Sequence, residues 1–139
     1  MTPARPALEL RGSWANRPPL AVPQEGRFRL TLAPAGGWLL EQPIGTPRPV
    51  TAAEPASLIT DPASWFPDAV SEPSGHDRVA GRPCSRVLVT YSPHSAYRME
   101  LWIDDEWSLI LAARSVGTRP TDEPRFELTI TEVHALSFR

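Results

Sequence analysis

Apolar and polar residues alternate along several short stretches of this chain. In residues 27–32 every second residue is apolar, and the positions between them are arginine or threonine. Residues 126–133 repeat this pattern until Val133, which breaks the phase or marks a bulge. Because neighbouring side chains of a strand point to opposite faces, the alternation predicts antiparallel strands with one buried and one hydrated face.

The same reasoning, applied along the whole chain, predicts eight strands and one short helix. The helix is expected at 61–66, with Asp61 as a side-chain N-cap, Pro62 in its first turn and Pro67 at its end. Segments 13–25 and 68–83 are rich in Pro, Gly, Ser and Asp, which favours loops. The strands are expected at 7–12, 26–33, 37–42, 48–52, 84–91, 97–103, 108–116 and 125–134.

Proline limits the helical content. Fourteen of the 17 prolines precede residue 84, and proline removes a backbone donor and clashes with the preceding helical turn. A length of 139 residues corresponds to one domain, spanning 1–139. The sequence therefore predicts a single, mainly β domain built on one curved antiparallel sheet.

Composition excludes several classes of function. The net charge is −2, and all 14 basic residues are arginine, so chemistry that needs a lysine is absent. The arginines are scattered, which predicts no nucleic-acid partner. One cysteine permits neither an internal disulfide nor a multi-cysteine zinc site.

The apolar stretches are too short for a signal peptide or a membrane span. We therefore expect no membrane span and a cytoplasmic location. An envelope location would follow if the native gene encodes a leader that this chain does not show.

The acidic run Asp104-Asp105-Glu106 lies between two apolar segments and has two interpretations. Its carboxylates could bind calcium or magnesium, although the spacing of a calcium loop is missing. Aspartate also favours turns, because its carboxylate accepts hydrogen bonds from nearby amides. We favour a hairpin turn here, and a loop for Asp122 and Glu123, which have prolines on both sides.

The remaining candidates for catalysis carry weak signals. The histidines His76, His94 and His134 are far apart in sequence, and Asp77 is too close to His76 for the usual carboxylate–histidine contact. Cys84 begins an apolar segment, where a cysteine usually fills the core. The sequence thus predicts a protein that is not an enzyme, with no catalytic residue, no metal site and no cofactor.

Three apolar residues are out of phase with their strands. Trp102 falls between Leu101 and Ile103, Leu88 falls opposite the face of Val87 and Val89, and Ile110 lies between two leucines. Large apolar groups on both faces of a sheet require a second layer or a ligand. We therefore predict Leu88, Trp102 and Ile110 as ligand-binding residues on a second face.

The second half of the chain resembles a known superfamily. The segment VAGRPCSRVLV at 79–89, then YRMELWID at 97–104 and LIL at 109–111, is similar to the later strands of the LolA/LolB lipoprotein carriers, in the branch that contains RseB/MucB-type regulators. The resemblance covers about 79–133. Ser108 stands where the family's turn usually carries glycine.

This resemblance implies an unclosed half-barrel whose concave face holds a helix or an apolar ligand. The leading interpretation is a non-enzymatic module that binds an apolar small molecule or lipid on that face. The alternative is a protein-interaction or regulatory domain, with a protein partner or a homodimer and no small ligand.

Overall fold

The computed structural model describes residues 5–18, 20–34, 37–42, 44–51, 54–66, 68–90, 98–117 and 124–136. Within these ranges the chain forms nine strands and two short helices. In chain order they are β1 (Ala7–Asn16), β2 (Gln24–Leu32), β3 (Trp38–Glu41), β4 (Pro47–Pro49), α1 (Ser57–Thr60), α2 (Pro62–Trp65), β5 (Val70–Val79), β6 (Arg82–Thr90), β7 (Arg98–Asp104), β8 (Ile110–Val116) and β9 (Phe126–Leu136).

All nine strands belong to one antiparallel sheet. Its order is β4-β3-β2-β1-β9-β8-β7-β6-β5, so the two hairpin series β1–β4 and β5–β8 are joined by β9 at the centre. The sheet does not close into a barrel, which confirms the predicted mainly β fold. Neither helix, among the residues described, reaches the length that a membrane crossing requires.

One face of the sheet is covered by the helices and forms the core. Leu8 and Leu10 of β1 lie opposite Leu32 and Leu30 of β2, and all four side chains are fully buried. Alternation places these side chains on a single face, where Leu58 and Ile59 of α1 join the same cluster. We call this the helix-covered face, and the opposite one the open face.

The sheet has to bend to build that cluster. Nine strands at about 4.8 Å spacing would span roughly 38 Å if they lay flat. The core nevertheless forms one connected group that includes Leu40 of β3 and Val89 of β6, near the two edges. The core cluster therefore extends across the sheet from β3 to β6 and includes Leu58 and Ile59 of α1.

A β-bulge between β1 and β9 contributes to this bend. Arg11 lies opposite Glu132, but Gly12 lies opposite Ile130, which leaves Thr131 without a partner residue. The bulge explains the phase break at Val133. Gly12 allows the strands to approach closely, because a Cβ there would lie 2.3 Å from the backbone oxygen of Thr129.

All eight predicted strands are present with slightly shifted bounds, but the two predicted loops are partly wrong. Most of 68–83 is strand β5, and 13–25 contains the end of β1 and the start of β2. Strand β5 is polar and lies at the sheet edge, where its residues are exposed apart from the half-buried Val79. Backbone pairing to β6 holds this strand in the sheet. Because neither of its faces is buried, its sequence shows no apolar alternation.

The predicted helix at 61–66 is present as α2, with Pro62 in its first turn. The predicted cap is wrong: Asp61 occupies the N-cap position, but its side chain makes no capping hydrogen bond. Asp61 also ends α1, and its backbone N–H donates to the Ser57 oxygen at 2.9 Å. Pro67 lies outside the described residues. Helix α1 was not predicted because its four residues are too few to show a helical period.

We expect Gly12→Ala to lower the free energy of unfolding by about 2 kcal/mol, because the added methyl group meets backbone that cannot rotate away. Urea denaturation measures the change. Gly26→Ala is the matched control, since its Cβ would meet mainly the movable end of the Gln42 side chain. Equal losses for the two variants would contradict this interpretation of the bulge.

Candidate functional site

The acidic run forms the turn between β7 and β8. The Asp104 side chain is 1% exposed, and one of its oxygens accepts hydrogen bonds from the backbone N–H groups of Glu106 at 3.2 Å and Trp107 at 2.7 Å. The Asp104 N–H donates to the Leu109 oxygen at 2.8 Å, which closes the turn. Asp104 therefore acts as the organising residue of a tight turn.

Arg82 of β6 compensates the buried charge of Asp104. Its Nε donates to Asp104 at 2.7 Å, one Nη donates to Glu106 at 2.9 Å, and the guanidinium lies 3.7 Å from the centre of the Trp107 ring. Burial disfavours the charge on Arg82, but the two carboxylates outweigh it and hold the pKa of the guanidinium above its ordinary value. The result is a satisfied ion cluster beside an aromatic ring.

The other acids also have protein partners or lie outside the described residues. Asp105 accepts a hydrogen bond from the Ser85 hydroxyl at 2.6 Å. Asp122 and Glu123 lie outside the described ranges. Among the residues that are described, no three histidine, cysteine or acidic side chains come together as a metal site would require.

Ser108 has a left-handed backbone conformation, with φ of 57°. Its N–H donates to the Asp104 oxygen at 3.0 Å, so the turn depends on this geometry. Glycine adopts this conformation without steric cost, whereas a residue with a Cβ is strained by about 1 kcal/mol. The turn therefore holds Ser108 in a conformation that glycine adopts more readily.

Cys84 and the histidines show no arrangement for catalysis in the described structure. The Cys84 side chain is 1% exposed; burial raises the pKa of its thiol, and the charge of Asp104 raises it further. His76 lies on the exposed strand β5, while Asp77 accepts instead from the N–H of Arg78 at 2.8 Å. His134 lies near an end of β9, and His94 falls outside the described residues.

Trp102 lies on the open face and is flanked by two arginines. The guanidinium carbons of Arg86 and Arg114 lie 5.4 and 5.5 Å from its ring centre. Both arginines donate to one oxygen of Glu100, at 3.0 and 3.2 Å. The indole N–H donates to Asp77 at 3.4 Å, so the chain itself covers part of this tryptophan.

The strand register brings two of the three predicted ligand-binding residues to this face. Trp102 lies opposite Arg86, and Leu88 lies opposite Glu100, so Leu88 and Trp102 share the open face. Both side chains are half-buried.

The expectation that Ile110 shares this face is wrong. A register shift pairs Ile110 with Ile103, and its side chain is fully buried in the core. The sequence could not predict this bulge. A bulge shows as a break in the alternation of apolar and polar residues, and Leu109, Ile110 and Leu111 are all apolar.

A cavity of about 100 Å³ opens on the helix-covered face, between the β1–β2–β3 part of the sheet and the residues that lead into α1. Most of its wall is apolar: Trp14, Phe28, Leu40, Pro55, Ala56 and Leu128. Gln42 and the ion pair between Arg48 and Glu54 supply the polar groups at its rim. An apolar wall of this kind suits an apolar group, and the volume of about 100 Å³ has room for a small one or for part of a longer chain.

The sequence did not point to this cavity. Trp14 fell in the segment predicted as a loop, and the cavity arises where five separate strands meet the residues that precede α1. The alternation of Leu8 and Leu10 continues through Gly12 to Trp14. Extending the predicted strand to Trp14 would have placed this residue on the core face.

We expect Asp104→Ala to lower the free energy of unfolding by about 3 to 5 kcal/mol, because it leaves Arg82 without its buried partner and two turn amides without an acceptor. Thermal or urea unfolding measures the loss. In the matched control Asp105→Ala, an exposed contact to Ser85 is lost and the cost stays below about 1 kcal/mol. Similar costs for both variants would contradict the organising role of Asp104.

We expect Ser108→Gly to raise the free energy of unfolding by about 0.5 to 1 kcal/mol, since it relieves the left-handed backbone. The same change at Ser71, an exposed position of regular strand β5, should lower it, because glycine weakens a strand. Paired melting curves compare the two. A lower melting temperature for Ser108→Gly would show that the serine side chain stabilises the turn.

Two solved structures share this fold. The crystal structure of MucB matches with a TM-score of 0.53 at 15% identity, covering 98% of this chain and 55% of MucB. MucB in complex with MucA(peri) matches with a TM-score of 0.55 at 16% identity, covering 96% of this chain and 52% of the other. The chain thus spans about half the length of the MucB structures.

A LolA superfamily protein from Nitrosomonas europaea also matches, but its TM-score of 0.35 at 8% identity carries no argument. No protein-family model matches the sequence, and no curated protein is similar to it. The MucB structures confirm the resemblance predicted from residues 79–133 at the level of the fold.

Proposed function

We propose that this chain is a non-enzymatic binding module that holds an apolar, lipid-like ligand in the cavity on the helix-covered face. The observation that carries the proposal is the wall of that cavity, in which two aromatic and several aliphatic side chains surround the space. An alkyl group bound there would remove from water both its own apolar surface and the apolar surface of the cavity wall.

The elements around the cavity suit a site that admits a ligand. Three sides are formed by strands of the sheet, which are fixed by backbone pairing. The fourth is formed by Pro55 and Ala56, which directly precede the four-residue helix α1. Helix α1 is held by packing, since Leu58 and Ile59 are fully buried in the core. A fatty acyl chain would need the wall at Pro55 and Ala56 to move outward, because the cavity of about 100 Å³ is smaller than ligand pockets of roughly 300 Å³ and more.

The polar rim would orient a ligand with a polar head. Arg48 and Glu54 form an ion pair beside Gln42, at the border between the apolar wall and solvent. An amphipathic molecule would bury its tail against Phe28 and Leu40 and leave its head at these groups.

The absence of enzymatic activity is part of the proposal. Asp104 and Glu106 are engaged by Arg82, and the raised pKa of Cys84 keeps its buried thiol protonated. His76 is not held by Asp77. These contacts use the groups that acid–base or nucleophilic catalysis would need.

The open face is the alternative location for an apolar ligand, in place of the cavity. Leu88 and Trp102 are predicted ligand contacts there, but Arg86 and Arg114 already lie beside the tryptophan ring. The cavity has fewer polar neighbours, which is why we favour it.

A second candidate function is the binding of a polypeptide partner. MucB, which shares the fold, has been solved in complex with MucA(peri). In this chain β5 is an edge strand whose second half, residues 75–79, follows Pro73 and a bulge and could accept an added strand. The opposite edge, β4, is three residues long and has Pro47 and Pro49, which lack backbone donors. The cytoplasmic location and the lack of a nucleic-acid partner stay predictions.

We expect the protein to bind the fluorescent fatty acid cis-parinaric acid, and Ala56→Phe to weaken this binding at least about tenfold by filling the cavity. Titration of the fluorescence measures the affinity, and circular dichroism checks that the variant is folded. Leu88→Ala, on the open face, is the control and should bind like the native chain.

A brominated fatty acid gives an independent readout that does not depend on filling the cavity. Bromine quenches a tryptophan that it touches, so quenching should be strong in the native chain and should largely disappear in Trp14→Phe while affinity is kept. Loss of binding in Leu88→Ala but not in Ala56→Phe would move the site to the open face. No binding of either fatty acid by the native chain would reject the proposal.

A further inference from the structure

A depression of about 420 Å³ lies on the open face, between the tip of the β5–β6 hairpin and strands β7, β8 and β9. Its volume falls in the range of small-molecule pockets, roughly 300 to 1,000 Å³. Its wall includes Asp77, Arg78, Trp102, Ala112, Arg114 and Thr129. We call this space the open-face depression.

The depression exists because a small residue lies between two larger ones in one row across the sheet. Trp102 of β7 lies opposite Ala112 of β8, and Ala112 lies opposite Thr129 of β9. Residues that lie opposite each other in paired strands project from the same face. The methyl group of Ala112 therefore leaves room beside the indole ring of Trp102.

The ring of Trp102 is only partly covered by its neighbours. This side chain is half-buried, and the guanidinium carbons of Arg86 and Arg114 lie 5.4 and 5.5 Å from its ring centre. By comparison, the guanidinium carbon of Arg82 lies 3.7 Å from the ring centre of Trp107. Aromatic rings pack offset or edge-to-face with their centres roughly 4.5 to 7 Å apart, so the depression can accept an aromatic ligand beside Trp102.

Positive and negative side chains balance around the depression. Arg78 and Arg114 line it together with Asp77 and Glu127. A ligand with a single charge would be attracted by one pair and repelled by the other, whereas a zwitterion would be attracted by both. The balance therefore favours a ligand that carries both charges and no net charge.

Asp77 and Arg114 offer an acceptor and donors beside the same ring. One Asp77 oxygen lies 3.4 Å from the indole nitrogen of Trp102, and the Asp77 side chain is exposed, so its carboxylate can also accept from an ammonium group. Arg114 donates one N–H to Glu100 at 3.2 Å, and half of its side chain is exposed. Its other N–H groups can therefore reach a carboxylate.

From these observations we infer that the open-face depression binds the zwitterion of an aromatic α-amino acid. The ligand ring packs beside Trp102, its carboxylate accepts from Arg114, and its ammonium group donates to Asp77. The exposed hydroxyl of Thr129 lies in the same wall and can donate to the carboxylate. This site and the cavity lie on opposite faces of the sheet, so the inference does not rest on the proposed function.

Isothermal titration calorimetry with L-phenylalanine and L-tryptophan tests the inference. Two relatives of phenylalanine lack one charge each: N-acetyl-L-phenylalanine has only the carboxylate, and L-phenylalaninamide has only the ammonium group, which is protonated at about pH 6. The native chain should bind both amino acids with dissociation constants below about 1 mM, and each single-charge relative at least about tenfold more weakly. L-Alanine, which lacks the ring, should also bind at least about tenfold more weakly.

Substitutions test the two charges separately. Asp77→Asn should weaken phenylalanine binding at least about tenfold and leave the binding of N-acetyl-L-phenylalanine unchanged, because that relative has no ammonium group. Arg114→Gln should weaken the binding of phenylalanine and N-acetyl-L-phenylalanine, but not of L-phenylalaninamide. Arg98→Gln is the matched control, because Arg98 is an exposed arginine of β7 outside the depression, and this variant should bind like the native chain.

The inference is overturned if the native chain binds neither amino acid, if a single-charge relative or L-alanine binds as tightly as phenylalanine, or if Arg98→Gln loses as much affinity as Arg114→Gln. Circular dichroism checks that each variant is folded. Ala56→Phe, which fills the cavity, should keep its affinity for phenylalanine. Amino-acid binding without fatty-acid binding would reject the proposed function alone, and fatty-acid binding without amino-acid binding would reject this inference alone.

Discussion

The pairing of β9 with both β1 and β8 is the contact on which the rest of the structure depends. On one side, β9 pairs with the full length of β1; on the other, it pairs with three residues of β8. Without β9 the chain would consist of two separate hairpin series, each with an apolar face open to water. Leu128 and Ile130 of β9 join the core of both series, and Leu128 also lines the cavity.

The two faces of the sheet separate two kinds of chemistry. The helix-covered face has leucines and isoleucines with an unfilled space among them. The open face has charged residues arranged around Trp102, where Glu100 is shared by two arginines. An apolar ligand and a polar partner would therefore meet different surfaces of the same sheet, so one need not displace the other.

Much of the fold was predictable because it depends on local alternation. Strands with one buried face, such as β2 and β9, show it clearly, and the phase break at Val133 indicated the bulge. Strand β5 was not predictable, since an edge strand that is exposed on both sides has no buried face to select apolar residues. Helix α1 was hidden for a related reason: four residues cannot display a period of 3.6.

The candidate site was less predictable than the fold. The phase of Trp102 correctly placed it on the second face. Its arginine neighbours, Arg86 and Arg114, come from β6 and β8. The pairing register between strands cannot be predicted from the sequence of a single strand. Ile110 was misplaced by a bulge inside an apolar run. The cavity depends on the packing of distant segments, and only the three-dimensional structure brings Trp14, Ala56 and Leu128 together.

The position of β9 in the chain also sets the order in which the protein can form during synthesis. Strand β1 is made before β2 to β9, yet its longest partner strand, β9, follows about 110 residues later, as the contact from Arg17 to Glu127 shows. Both hairpin series can assemble early from local contacts, but their apolar faces stay exposed until β9 arrives. A chain truncated before residue 126 would lack β9 and would leave the apolar faces of both hairpin series uncovered.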